Sequence, residues 1–286
     1  MPNPTVSVII PTYNESEYLP KLLHCLEEQT FRDFEIIVAD NESTDGTADV
    51  ARSFGAQVVP GGMPAAGRNN GASAAAGEYL FFFDADVKFA RNFLENAVQE
   101  LRDRDEEVAT CETVPLSNLA LDRFMHQIAN YYVKSNLEKN PQAPGFCIMI
   151  SRRIFEAIGG FDESLSLAED HDLVARASRH KPLVFLESVR VMVSVRRYRK
   201  EGRLDYMLKV VKVTLYRQLH GNIRDDVFEY EFGDFKHVNS SSLRKIEHQI
   251  NKLDMALKKA KKRTIRPLRR RYMKVNERIA KLLSRS

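Results

Sequence analysis

The sequence predicts an α/β fold with a mainly parallel central sheet and a C-terminal α-helical extension, and three observations carry that expectation. β-branched and aromatic runs alternate with stretches of helical periodicity through the first half of the 286-residue chain, and strand–helix–strand order of this kind closes as parallel pairs with helices on both faces. Polar or acidic clusters follow three of these runs, at the strand ends where such sheets bind ligands. Beyond residue 243, Ile246, Ile250, Leu253, Leu257 and Ala260 recur at alternating spacings of four and three, the stripe of a coiled-coil-like helix.

Taken in order, residues 6–10 form a β-branched run that Pro11 ends, followed by Leu19, Leu22, Leu23 and Leu26 at helical spacing. The cycle repeats as a buried strand over 34–39, a polar loop over 40–46 and a short helix over 47–54, with Thr44 or Asp45 placed to cap it. Val58 and Val59 mark a third strand. Residues 65–76 form an Ala-rich helix ended by Gly77, and 79–83 a fourth strand that stops at Asp84-Ala85-Asp86. The second half is less regular. It reads as a helix over 119–137, a loop over 141–145, a strand over 146–150 and a helix over 152–158 ended by Gly159 and Gly160. A helix with Leu173, Val174 and Ala177 on one face then follows the acidic residues 169–172, and strands at 184–186 and 189–195 precede a helix over 204–219. Pro267 breaks the tail helix before a second one. The expected division is a domain over 1–202 and a helical region over 203–286, whose basic amphipathic tail is 243–286.

Composition narrows the function classes. With 43% hydrophobic and 29% charged residues the chain is neither fibrous nor disordered. Cys25, Cys111 and Cys147 are odd in number, far apart in sequence and form no CxxC pair, which argues against a disulfide scaffold or a zinc site and for a reducing compartment. The longest apolar run, Tyr79 to Phe83, is far short of a membrane span, and the start MPNPTVSV lacks the regions of a signal peptide. A cytoplasmic protein is expected, with peripheral contact to the membrane face as an option. Charge is unevenly placed: from Leu243 onward 16 Lys and Arg stand against three acids, a net of +13, and the rest of the chain carries −9. Such a tail suits an anionic surface.

The expected strand ends carry residues 11–15, 40–45 and 84–86. No GxxxxGK[ST] or GxGxxG follows any strand, so a nucleotide bound here needs a cation to manage its phosphates. Two carboxylates at the end of a buried strand, Asp84 and Asp86, are unfavourable unless a cation sits beside them. A hard divalent ion completed by substrate phosphates meets that need, and capping of the next helix is the plainer alternative. Pro11, Thr12 and Tyr13 offer an aromatic ring and free backbone groups to a nucleobase, and Asp40 offers an acceptor; each is also an ordinary loop residue. Glu169 to Asp172 read either as a helix cap or as a general base beside its neighbours, with His171 a bystander. Arg196, Arg197, Arg199 and Lys200 read as solvated charge or as a clamp on a diphosphate.

Six strings stand in order: SVIIPTYNE (7–15), VADNESTDGT (38–47), GRNNG (67–71), FFFDADV (81–87), GGFDE (159–163) and AEDHDL (168–173). Together they resemble the family 2 inverting glycosyltransferases of the type-A, Rossmann-like nucleotide-diphospho-sugar transferase fold, over about residues 5–200. The resemblance implies a donor nucleotide bound by Pro11, Thr12, Tyr13, Asp40 and Arg68, with Glu15 beside them, and with Asp84 facing the ribose. It implies Mg²⁺ or Mn²⁺ at Asp86, Asp170 as the base, and the acceptor near Glu169 and Gly145. Some members carry a His near Arg197; this chain does not, and Arg197 is the substitute on the diphosphate. The absent QxxRW string implies single rather than repeated transfer. The expected partners are a nucleotide sugar, UDP-linked by preference, and a hydroxyl of a glycan or lipid-linked glycan. The tail is expected to meet anionic membrane, or another copy of the chain, rather than specific nucleic acid. A polyprenyl-phosphate acceptor, whose oxygen is already ionised, and a silent module recruited by its tail are the alternatives. A sugar-nucleotide pyrophosphorylase is disfavoured because no GGxGTRL-type loop is present.

Overall fold

The computed structural model describes residues 3–203 and five positions beyond them, Tyr206, Lys209, Val210, Val213 and Ile223. Of the helix expected over 204–219 only Tyr206, Lys209, Val210 and Val213 are described, each of them helical, and the helices expected in the tail lie outside the described residues. The described chain forms two compact units. The first takes in residues up to Thr113, Val133–Val193 and Ile223; the second takes in Val114–Tyr132 and the other described positions from Ser194 onward.

In chain order the elements are β1 (Val6–Thr12), α1 (Leu19–Glu27), β2 (Phe34–Asp40), α2 (Thr47–Ser53), β3 (Gln57–Pro60), α3 (Pro64–Ala74), β4 (Tyr79–Phe82), β5 (Val87–Lys88), α4 (Phe93–Asp103), β6 (Val108–Pro115), α5 (Ala120–Ser135), β7 (Ile148–Ser151), α6 (Arg152–Ala157), α7 (Glu169–Ala177), β8 (Val184–Val193) and α8 (Arg196–Glu201). The strands form one sheet in the order β3-β2-β1-β4-β7-β6-β8-β5. β3, β2, β1 and β4 are parallel, and β1 carries the longest ladder, from Val6 opposite Phe34 to Thr12 opposite Asp40. β7 runs antiparallel to β4 and to β6, and β5 antiparallel to β8. Strand order reverses between β1 and β4, and sheets of this kind bind ligands beyond the carboxyl ends of the strands at such a reversal.

Alternation along the strands builds a core on each face. Val6, Val8, Ile10, Phe81 and Phe83 pack with α1 and α4, through Leu19, Leu22, Leu23 and Leu26 and through Phe93, Leu94, Val98 and Leu101. Ile9, Ile37, Leu80 and Phe82 face α3, α6 and α7, through Ala65, Ala72, Ile154, Phe155, Leu173 and Val174. Gly71 lets α3 lie close to β1: a Cβ there would stand 2.5 Å from Ile9 Cγ2.

Several expectations are corrected in detail. β1 continues through Pro11, because its ladder to β2 extends to Thr12. β8 is one strand where the sequence suggests two; its polar interruption is held by Glu100, which accepts from the Glu187 and Ser188 amides at 3.2 and 3.0 Å. β5 and β6 were not foreseen. β6 carries buried Thr110 and Thr113 that hide its period, and Thr110 Oγ1 donates to the Cys147 carbonyl at 2.8 Å. The acidic residues 169–172 are the first turn of α7, not a segment before it, and the charged run at 196–201 is helix α8.

Within the second unit, Asp122 is fully buried, and Arg203 donates to it through Nε and Nη2 at 2.6 and 3.2 Å. The Tyr198 hydroxyl meets His126 Nε2 at 3.2 Å, and burial raises the Tyr198 pKa.

Phe82 has no exposed surface and packs edge-on against Phe161 at 5.2 Å between ring centres and tilted against Phe155 at 5.6 Å. Phe82→Ala is therefore expected to destabilise the chain by about 3–5 kcal/mol, read as the shift of a urea midpoint at constant slope.

Candidate functional site

Three loops meet where β1, β2 and β4 end. Thr12 and Asp40 are register partners, and Thr12 Oγ1 donates to Asp40 Oδ1 at 2.9 Å. Asp40 also accepts from the Ser43 amide at 3.0 Å and hydroxyl at 2.7 Å. Asn14, at a left-handed φ of 54°, donates its amide to Ser43 Oγ and accepts the Thr44 amide on its side chain. The Glu15 amide donates to Thr47 Oγ1 at 2.8 Å. Burial opposes the charge on Asp45, but it accepts from the Thr47 hydroxyl and from the amides of Ser16 and Thr47, and these bonds lower its pKa to about 2. Tyr13 stands 40% exposed above this braced pair of loops. Gly61 closes the far side, where a Cβ would lie 2.5 Å from the Asn41 amide nitrogen.

The second part of the site is organised by Arg68 on α3. Its side chain is 6% exposed, and its guanidinium lies between two acidic elements: Nη1 donates to Glu169 Oε1 at 2.8 Å and Nη2 to Asp84 Oδ1 at 3.1 Å. Burial works against the charge on Arg68, but Asp84, Glu169 and Asp170 outweigh it and raise its pKa. Burial, reinforced by Asp170, raises the pKa of Glu169 despite the pull of Arg68. The two ion pairs differ in strength. The Glu169 side chain is 16% exposed and that of Asp84 39%, so the Glu169 pair is the less screened of the two.

Asp170 is oriented by main chain. Its Oδ2 accepts from the Gly145 amide at 2.7 Å and its Oδ1 from the His171 amide at 2.8 Å. Gly145 is needed here on steric grounds: a Cβ would lie 2.7 Å from Arg68 Nη2 and 3.3 Å from Asp170 Oδ2. The structure thus brings Arg68, Asp84, Gly145, Glu169 and Asp170 together. Arg197 lies on α8 of the second unit. Arg68, matched in sequence to base recognition, has its guanidinium engaged by the two carboxylates.

Asn69 escaped the sequence reading. Its Nδ2 donates to the Phe161 carbonyl at 3.0 Å and to Glu163 Oε1 at 2.7 Å, and its Oδ1 accepts the Phe161 amide at 2.9 Å. This side chain fastens GRNNG to GGFDE. Both strings were visible in the sequence; that they touch was not.

Asp84 and Asp86 flank Ala85, which is 2% exposed, at the end of β4. Among the described residues no three His, Cys, Asp or Glu side chains are grouped to hold a metal unaided. A lone DxD of hard oxygen donors fits Mg²⁺ or Mn²⁺, which takes one or two carboxylates and completes its shell with substrate oxygens. Among the described residues no helix is long and apolar enough to cross a membrane.

Residues 7–159 match the model of Glycosyl transferase family 2. The chain belongs to that family. A curated relative, glycosyltransferase AglE of Haloferax volcanii, is 29% identical over 61% of this chain and 62% of its own length, so the chain spans under two thirds of that relative. Two solved structures share the fold: TarS of S. aureus in complex with UDP-GlcNAc, at TM-score 0.56 and 22% identity over 66% of this chain and 58% of that one, and the mannosyltransferase PcManGT from Pyrobaculum calidifontis in complex with GDP-Man and Mn²⁺, at TM-score 0.60 and 24% identity over 77% and 65%. The type-A fold expected from the sequence is present.

Arg68→Met strands Glu169 without its partner and is expected to cost about 3–5 kcal/mol. Arg68→Met combined with Glu169→Gln should recover most of that loss, read from urea midpoints around the double-mutant cycle.

Proposed function

We propose that this protein is an inverting, non-processive, metal-dependent glycosyltransferase. It moves a sugar from a nucleoside-diphosphate sugar, UDP-linked by preference, to a hydroxyl of a glycan or lipid-linked glycan. The observation that carries this reading is the Arg68 bridge, which joins the acidic end of β4 to the acidic first turn of α7. A donor with its diphosphate at Asp84–Asp86 then has its reacting carbon near Asp170.

In this reading Pro11, Thr12, Tyr13 and Asp40 hold the base, with Glu15 supporting the turn, and Asp84 meets the ribose. Arg68 serves the donor by fixing Asp84. Asp86 would hold Mg²⁺ or Mn²⁺, which supplies positive charge against the departing nucleoside diphosphate. Asp170 takes the proton of the acceptor hydroxyl as that oxygen attacks the anomeric carbon from the face opposite the leaving group, so an α-linked donor gives a β-linked product. The amides of Gly145 and His171 leave lone pairs free on its carboxylate, since an ionised carboxylate offers about four acceptor positions. Glu169 and the Gly145 loop border the acceptor. A general base is superfluous for an ionised polyprenyl phosphate, which favours a hydroxyl acceptor. The support from relatives is that TarS and PcManGT are described with nucleotide sugars, and PcManGT with Mn²⁺.

Calorimetric titration of UDP, GDP, CDP and dTDP, each with Mn²⁺ and again with EDTA, is expected to show one diphosphate binding tightly with metal alone. Asp170→Asn should keep that binding and lose about 10²–10⁴-fold in transfer rate; transfer at the parental rate would remove Asp170 from the mechanism. Binding without turnover by the parent would leave a donor-binding module.

The basic tail is proposed to bring the enzyme to anionic membrane carrying its acceptor. Pelleting with vesicles rich in phosphatidylglycerol is expected to fall on deletion of residues 243–286 and with rising salt, and pelleting unchanged by the deletion would retire this role.

A further inference from the structure

Cys111 and Cys147 are 36 positions apart in the chain, yet their sulfurs lie 3.3 Å from one another. The antiparallel register that sets Val108 opposite Ile150 and Ala109 opposite Met149 reaches Cys111 and Cys147 when continued by two residues. Directly opposed residues in such a ladder have Cα atoms about 4.5–5.5 Å apart, within the roughly 4.4–6.8 Å that a disulfide spans. Both side chains belong to one apolar cluster, at 1% and 0% exposure. Cys25 is a half-buried third thiol.

We propose that Cys111 and Cys147 are a modification site, a thiol pair that a low-molecular-weight disulfide converts into an intramolecular disulfide bond. The bond is about 2.05 Å long, so closure brings the sulfurs together by roughly 1.2 Å, which about 20° of χ1 rotation on each side supplies within a staggered well. Either sulfur can donate the hydrogen bond between them, so either thiol can react first. The thiolate of one attacks one sulfur of RSSR, forming a mixed disulfide and expelling RS⁻. The other, once deprotonated, attacks the protein sulfur of that mixed disulfide, the Sγ–Sγ bond forms and a second RS⁻ leaves. Two protein thiols and one RSSR become one protein disulfide and two RSH, so no further reactant is needed. Because both sulfurs are buried, exchange runs through local opening of the sheet and quickens on warming.

The location gives the bond a consequence. Cys147 lies two residues beyond Gly145, and its amide closes a turn on the Pro144 carbonyl at 2.8 Å. A link to β6 anchors the turn whose Gly145 amide holds Asp170.

The test needs only the full-length protein. It is incubated with glutathione disulfide at rising temperature, unfolded in guanidinium chloride with N-ethylmaleimide and weighed. The expected result is one label, on Cys25, with a Cys111–Cys147 linked peptide after digestion, a higher melting temperature for the oxidised form, and a return to three labels after dithiothreitol. Cys25→Ser, which leaves the pair intact, should take up no label after the same treatment, and Cys147→Ala should take up two. Three labels under every condition, glutathione adducts without a linked peptide, or a link to Cys25 would each overturn the proposal.

Discussion

A single buried cation organises this site. Three carboxylates, from Asp84, Glu169 and Asp170, act on one guanidinium. Without it, acidic groups from β4 and α7 would repel one another in a partly dry crevice, and the cheapest relief would be separation of those elements. Placing Arg68 there sets conditions elsewhere. α3 must lie close against β1, which Gly71 permits. The loop before β7 must pass the guanidinium without a side chain, which Gly145 permits. α3 must also be fixed to the segment that leads into α7, which Asn69 does through the Phe161 backbone. The recurrence of glycine and asparagine around one arginine follows from that crowding.

The parallel half of the sheet was legible because β1, β2 and β4 are short apolar runs closed by polar clusters, and α1 has its own apolar face. In the antiparallel half β7 was legible and β8 was read as two strands, but β5 and β6 were missed. β6 buries Thr110 and Thr113 on threonine hydroxyls, so its composition hides its burial. β8 passes through Glu187 and Ser188, whose amides are satisfied by a side chain from α4 rather than by a turn. In both cases a contact distant in sequence supplies what a local pattern would have signalled. α8 was missed for a different reason: five of its six residues are charged and none is fully buried, so it has no apolar period to detect.

The site shows the same division. Asp40, Asp84 and Asp170 are marked by strings at strand ends and at a helix start, and the structure places them at such points. The pairing of Arg68 with Glu169 spans 101 positions, and that of Asn69 with Glu163 spans 94. Neither can be read from spacing. The two cysteines illustrate the limit most simply, since separation along the chain argued against a pair that the sheet register creates.

The orientation of Asp170 rests on amide hydrogens, from Gly145 and His171, that every non-proline residue would also supply. Neither bond therefore depends on the side chain of the residue that donates it. Over evolutionary time such an arrangement uncouples two traits: the sequence around the carboxylate can drift while the carboxylate keeps its orientation. Gly145 is the exception, fixed by the crowding around it rather than by the bond it makes.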